Sequence, residues 1–197
     1  RDINYDPTKG WFMSQRFAWY GLIPGLEKEF FLRSETKLEG YFTFFDIPIT
    51  ERWHFKLVGA AYSGLSVVLP VPNSLFSNSN KLYIDGMFNG RGWTNIYNSV
   101  RGKIMWSNRF ELHIPLVPNI LGLSGFFDAA VVKKEPHQLF SDLHLEDFYF
   151  SFGPGIRFLL PQFPLHLLFA TTFKYDGTKV NWNGVFQFVL SFNLTNR

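Results

Sequence analysis

The run KEFFLRSETKLEGYFTFF, Lys28 through Phe45, repeats with a period of two. Phe30, Leu32, Leu38, Phe42 and Phe44 fall on one face, with Ser34, Thr36 and Gly40 between them. Arg33, Glu35, Lys37, Glu39, Tyr41 and Thr43 fall on the other. Successive side chains of a β-strand point to opposite faces, so the stretch reads as one long strand with an apolar wall and a charged wall. Two settings accept such a strand. A soluble sandwich turns the polar face to bulk water. A membrane barrel turns the apolar face to lipid and the polar face to its lumen.

The pattern returns from Lys103 to Ile114, where Lys103, Ser107, Arg109, Glu111 and His113 oppose Ile104, Trp106, Phe110, Leu112 and Ile114. It returns again from Asp147 to Leu160, with Tyr149, Ser151, Gly153, Gly155 and Arg157 against Phe148, Phe150, Phe152, Ile156 and Phe158. There the polar side is small and the apolar side nearly all aromatic. A lipid-facing wall takes crowded large rings more readily than a sandwich interior, where large side chains need small ones opposite them. Eight strands are expected: Trp11 to Tyr20, Lys28 to Phe45, Glu51 to Leu65, Gly102 to Pro115, Leu121 to Val132, Asp147 to Leu160, Phe163 to Lys174 and Trp182 to Leu194. Many reach the roughly 9 to 11 residues of a tilted spanning strand. The connections segregate. Gly21 to Glu27, Ser66 to Arg101, Lys133 to Glu146 and Tyr175 to Asn181 are longer, while Asp46 to Thr50, Leu116 to Ile120 and Pro161-Gln162 are short. Long loops at one end and short turns at the other are the outer-membrane barrel habit. The expected fold is therefore all-β, an antiparallel transmembrane barrel segment over residues 1–197 with a long loop at about 66–101. Tyr175-Asp176-Gly177 reads as a hairpin turn.

Composition narrows the class further. Phe is 24 of 197 residues and mean hydropathy is −0.03, yet no window approaches the ~18 to 20 apolar residues of a spanning helix. Zero cysteines exclude a disulfide scaffold and a Cys-ligated metal. A net charge of +3, with basic and acidic residues interspersed, gives no nucleic-acid footprint. Residues 1 to 7 carry no signal-peptide pattern, which leads one to expect a mature product or a fragment.

The long loop holds Gly90-Arg91-Gly92-Trp93. On alternation Glu111 lies on the charged face of its strand, and Ser124, Phe126, Asp128 and Ala130 share one face of the next. If the charged face is the lumen, two carboxylates point inward on neighbouring strands. A guanidinium between them would relieve their repulsion and form forked hydrogen bonds. By itself, a loop arginine is ordinarily solvated.

Several short motifs, in order, change that weighting. Asp6-Pro7-Thr8-Lys9-Gly10-Trp11, Gly86 through Gly90-Arg91-Gly92-Trp93, Asn108-Arg109-Phe110-Glu111-Leu112, Phe126-Phe127-Asp128-Ala129-Ala130 and Ser151-Phe152-Gly153-Pro154-Gly155-Ile156-Arg157, followed by Pro161 and Pro164, resemble the BamA superfamily of outer-membrane assembly factors. Their order and spacing agree across essentially the whole chain. Gly90 stands where the family usually has valine, Trp93 where it has Phe or Tyr, and Ala130 where it has glycine. The chain ends without a terminal aromatic residue.

The resemblance implies the C-terminal half of a sixteen-stranded barrel. It implies a loop folded back into the lumen, with Arg91, flanked by Gly92 and Trp93, engaging Glu111, Phe126 and Asp128 as a lock. It also implies a last strand at one side of a seam, where Phe186, Phe188, Leu190 and Phe192 face lipid and Gln187, Ser191 and Asn193 turn inward. The implied work is insertion of outer-membrane proteins in the bacterial outer membrane, with no catalytic residues, metal or cofactor. Expected partners are the lipid bilayer, unfolded outer-membrane proteins and accessory assembly lipoproteins, and no nucleic acid. A two-partner-secretion translocase of the same superfamily, or a plain porin or surface antigen, is the alternative.

Three other features bear on function. His137, Asp142, His144, Glu146 and Asp147 share a loop and read as exposed polarity rather than a cation site. His113 could serve as a base, but no nucleophile and orienting acid accompany it at a recognisable spacing. Trp11, Trp19, Trp53 and Trp182 lie near strand ends, where interfacial aromatic girdles sit.

Overall fold

Each alternating run forms a strand in the computed structural model, which describes residues 7–21, 28–51, 54–117, 120–160 and 163–192. Asp6, Trp53, Pro161 and Asn193, named above, lie outside the described residues, as do the side chains of Pro164 and Phe192. The main sheet contains β1 (Gly10–Tyr20), β2 (Phe31–Pro48), β3 (His54–Pro70), β6 (Ile104–Val117), β7 (Leu121–Lys133), β8 (Tyr149–Leu160), β9 (Phe163–Tyr175), β10 (Val180–Trp182) and β11 (Gln187–Phe192). A small ladder joins β4 (Leu82–Tyr83) to β5 (Arg101–Gly102) inside the long loop. Main-sheet neighbours are antiparallel and follow chain order from β1 to β9, and both β10 and β11 pair with β9. Among the described residues no ladder joins β11 to β1, and the strands form a segment of a barrel wall.

Register fixes which side chains share a face. One row runs Ala61, Phe110, Phe127, Phe152, and the row beside it runs Tyr62, Arg109, Asp128, Ser151, Thr172. Trp11 is 71% exposed and Phe17 69% on the first face, where Phe42, Phe110, Phe127, Phe152, Phe169 and Phe188 are exposed as well. The second face buries Ser107, His113, Ser124, Asp128, Ser151, Arg157, His166 and Thr172. A soluble sandwich does the reverse, because burying apolar area is its main source of stability. Rings outward and charges inward describe a wall between lipid and a polar lumen. Polar side chains on the outer wall bond one another: Gln15 with Ser34 (2.9 Å) and Thr36, and Ser63 with Asn108 (2.8 Å) and Trp106 (3.0 Å). Lipid offers such groups no other partner.

Strand β2 begins at Phe31 rather than Lys28, because the Lys28 and Phe30 carbonyls accept the Leu75 and Val71 amides of the long loop, and the strands depart from the sequence expectation at three further places. Strand β2 passes Phe45 to Pro48 because a bulge between Thr43 and Phe45 shifts the phase, leaving Phe44, Phe45 and Ile47 exposed together. Strand β3 passes Leu65 to Pro70, held by the β2 ladder that pairs Phe31 with Pro70, so the long loop begins at Val71 rather than Ser66. The run from Trp182 is not continuous: Trp182 opposes Phe173 and Gln187 opposes Ala170, so residues 183–186 span the width of Thr171 and Thr172. Phe186, expected within the last strand, therefore sits off the ladder, beside Gly184 at φ +71°.

The turn at Tyr175-Asp176-Gly177 forms, with Gly177 at φ +91°. The Asp176 carboxylate accepts the Lys179 amide (2.9 Å), the Thr178 hydroxyl and amide (2.8 and 3.1 Å) and Asn181 Nδ2 (2.8 Å). These bonds, led by the one from the Lys179 amide, hold its carboxyl well below the usual range.

Candidate functional site: an arginine buried between two lumenal carboxylates

The long loop turns back onto the lumenal face. Its neck is apolar: Leu82 packs with Phe31, Val68 and Met105 from β2, β3 and β6. Beyond Ile84, which is fully buried, Asp85 closes a tight turn by accepting the amides of Met87 (2.8 Å), Phe88 (2.6 Å) and Asn89 (2.9 Å) at Oδ1. The Gly92 amide bonds the Gly86 carbonyl at 2.8 Å, and the Trp93 amide bonds that of Gly90 at 3.0 Å. Removing the Asp85 acceptor leaves three amides to find other partners. Asp85→Ala is therefore expected to cost about 1–2 kcal/mol and to hasten protease nicking at Lys81 or Arg91, whereas Asp85→Asn keeps most of the turn. Timed trypsin digestion of the folded protein in detergent micelles checks this, and identical digestion of all three proteins would refute it.

Arg91 emerges from this turn with 1% of its surface exposed. Its Nε donates to Asp128 Oδ2 at 2.8 Å and its Nη2 to Oδ1 at 2.6 Å, the two-pronged geometry that a guanidinium fits to a carboxylate. Its backbone amide also donates to Asp128 Oδ2, at 3.1 Å. The remaining Nη1 reaches Glu111 Oε1 at 2.5 Å. Cζ lies 4.2 Å from the centroid of the Phe126 ring, a cation–π contact in a water-poor place. Glu111 pairs directly with Phe126 across β6 and β7, and Asp128 is two residues further along the same face. The period-two alternation thus sets three recognition groups side by side.

Two glycines let the loop come this close. Gly92 has φ +91°, and a Cβ there would stand 2.8 Å from Ala170 Cβ and 3.2 Å from Thr172 Cγ2 on β9. Gly90, at φ +61°, would drive a Cβ to 2.7 Å from Ile84 Cγ2. Trp93 donates its indole N–H to the Phe150 carbonyl at 2.9 Å and sets its ring edge-on to Tyr149. Thr94 Oγ1 reaches Gln187 Oε1 of β11 at 3.3 Å. The loop therefore touches β6, β7, β8, β9 and β11.

A lumenal cavity of about 380 Å³ opens beside the arginine, lined among others by Glu35, Lys37, Glu39, Arg109 and His113. The profile of the Omp85 superfamily domain matches residues 1–193. The chain belongs to the Omp85 superfamily. Of curated proteins, this Omp85 segment is similar to a Treponema pallidum (strain Nichols) protein provisionally named an outer membrane protein assembly factor. The two are 39% identical over 225 aligned positions, which take in 100% of this chain and 26% of the relative. The segment thus spans about a quarter of that protein's length. No solved structure matches it. Family membership places the Omp85 wall in the bacterial outer membrane.

Of the residues singled out in the sequence, Arg91, Gly92, Trp93, Glu111, Phe126 and Asp128 meet in one place. Phe188 is exposed on the outer wall of the Omp85 sheet, Leu190 is half-buried, and Val189 and Ser191 point inward. The sequence reading left His113 without an orienting acid, and the fold supplies one: its Nε2 lies 2.7 Å from Glu111 Oε2. Residues two apart on a strand share a face, which was the available signal. Among the described residues the Ser124 hydroxyl, opposite His113 on β7, is buried without a hydrogen-bond partner. Asp85, Ala170 and Thr172 were also missed. An Asp-Gly pair marks a turn, but nothing in sequence says that β9 seats the loop. Trp11, Trp19 and Trp182 stand exposed on the outer wall. The polar loop after β7 is tied by Lys133, 2.7 Å from Asp147 and 3.8 Å from Asp142.

Proposed function

We propose that this segment belongs to a non-enzymatic assembly factor that folds and inserts β-barrel proteins into the outer membrane, and that Arg91 locks the long loop into its lumen. The observation that supports the reading best is the pairing of a firmly seated loop with an open sheet edge. The loop spends its arginine on Asp128 and Glu111, while β11, which it touches through Gln187, has a ladder partner only in β9 among the described residues. Backbone polar groups in lipid must be paired, so an edge strand held in register can template an incoming strand. In this reading accessory lipoproteins deliver unfolded chains, and the work is physical, with no covalent step.

A photo-reactive residue at Leu190 of the full-length protein, reconstituted in lipid vesicles, is expected to capture a urea-diluted barrel protein during its folding. The same probe at Phe127, mid-wall, is expected to capture little. Equal capture at both positions, or none at Leu190 while the vesicles still accelerate folding, would overturn the templating edge.

A further inference from the structure

The fifteen residues between β7 and β8 do not stand over the pore. Rows of cross-strand partners run Leu65 to Trp106 to Val131, and Val67 to Ile104 to Lys133. Two residues further along each strand lies the row Ser63, Asn108, Ala129, and beyond it Ala61, Phe110, Phe127, whose rings face lipid. Leu139, from the short helix α1 (Gln138–Ser141), is buried against Ile104 and Val131, with Leu65, Val67, Trp106, Leu143 and Phe148 packed round it. The segment therefore lies against the outer wall. Phe148 stacks on Phe150, and Phe150 on Phe173, so the outer aromatic surface runs without a break from the foot of the segment into the wall.

We propose that residues 134–148 form a foot resting in the membrane interface, with Phe140 and Leu145 seated in the leaflet at the long-loop end of the barrel. Phe140 is 83% exposed and Leu145 64%, although each adjoins a stretch that packs on the wall. Neither is a mobile tip. Lys103 holds Glu135 at 2.6 Å, Lys133 holds Asp147 at 2.7 Å, and the His144 amide donates to Asp147 Oδ2 at 2.9 Å. Two large apolar side chains fixed outward beside a lipid-facing wall have acyl chains as their continuous surroundings. The exposed polar residues His137, Ser141, Asp142, His144 and Glu146 suit the headgroup layer above them. Phe140 and Leu145 would supply the apolar side of such an interfacial segment and gain by leaving water for acyl chains.

The test uses the full-length protein in phosphatidylcholine–phosphatidylglycerol vesicles, with one nitroxide label at a time on Phe140→Cys, Leu145→Cys, Lys179→Cys at the β9–β10 turn, or Phe127→Cys mid-wall. Collision rates are read with oxygen, which partitions into lipid, and with a nickel chelate, which stays in water. At Phe140 the expected result is a nickel collision rate several-fold below that at Lys179, with oxygen collisions close to those at Phe127. Nickel access equal to that at Lys179 would place the foot in water. Low rates for both reagents would show another protein surface covering it. Either result overturns the proposal. Phe140 is exposed, so its replacement removes no packing, and neither residue takes part in the arginine cluster.

Discussion

Arg91→Ala is expected to unseat the long loop. The substitution removes three of the four hydrogen bonds that Arg91 donates to the two carboxylates: the backbone amide keeps its bond, but Asp128 loses both prongs of its fork and Glu111 its Nη1 donor. Asp128 is wholly buried, so the loss leaves a carboxylate in a water-poor site without its counter-charge. Stranding one member of a buried ion pair costs about 3 to 5 kcal/mol, against about 0 to 1 kcal/mol for a surface pair. Lys81→Ala, which removes a loop cation from the half-exposed neck, is the control and should fall in the second range. Gel mobility of unheated against heated protein over a temperature series checks this: Arg91→Ala should convert to the unfolded band at a distinctly lower temperature, and Lys81→Ala at that of the wild type. Arg91→Lys should rescue little, since an ammonium cannot make the fork or lie flat on Phe126. In double-mutant cycles, coupling to Asp128 should exceed coupling to Glu111, following the number of bonds each accepts. Equal and negligible losses for Arg91→Ala and Lys81→Ala, or the absence of coupling, would remove the lock.

The second large effect is expected at Gly92. Gly92→Val meets two penalties at once. Its φ of +91° is costly for any side chain and most of all for a β-branched one, and its Cβ would press on Ala170 at 2.8 Å. The loop would have to lift from β9, and Arg91, one residue earlier, would lift with it. The same thermal gel series should show a loss comparable to that of Arg91→Ala. Ala170→Gly in the Gly92→Val background separates the two penalties, because it relieves the contact and leaves the backbone strain. Partial rescue is the expected outcome. Full stability in Gly92→Val alone would mean that the loop does not need its seat on β9.

Much of this was legible in residue order. The period-two alternation of β2, β6, β7 and β8 put Glu111 and Asp128 on one face and the phenylalanines on the other before any coordinates, because alternation is a property of the extended backbone itself. The strand ends were less legible. Extension of β3 to Pro70 follows from its ladder with β2, and the bulge at Thr43/Phe45 and the break at 183–186 are settled between strands, by what each residue finds opposite it. His113 shares its strand face with Glu111, two residues away, so their contact is encoded in the alternation, although no catalytic motif spacing marks it.

Sequence alone determined that the chain is a barrel wall with rings toward lipid and charges toward a lumen, that an arginine between glycines sits in its longest loop, and that two carboxylates face inward on the strands after it. The resemblance implied that this loop turns into the lumen; only the tertiary structure decided what it rests on. Arg91 lies 20 residues from Glu111 and 37 from Asp128, and no local preference sets such a distance. Leu82 on Phe31, Gly92 on Ala170 and Leu139 on the outer face of β6 and β7 are contacts between surfaces that exist only once the sheet has formed. Alternation tells each side chain which face it occupies; packing then tells each loop which face it covers.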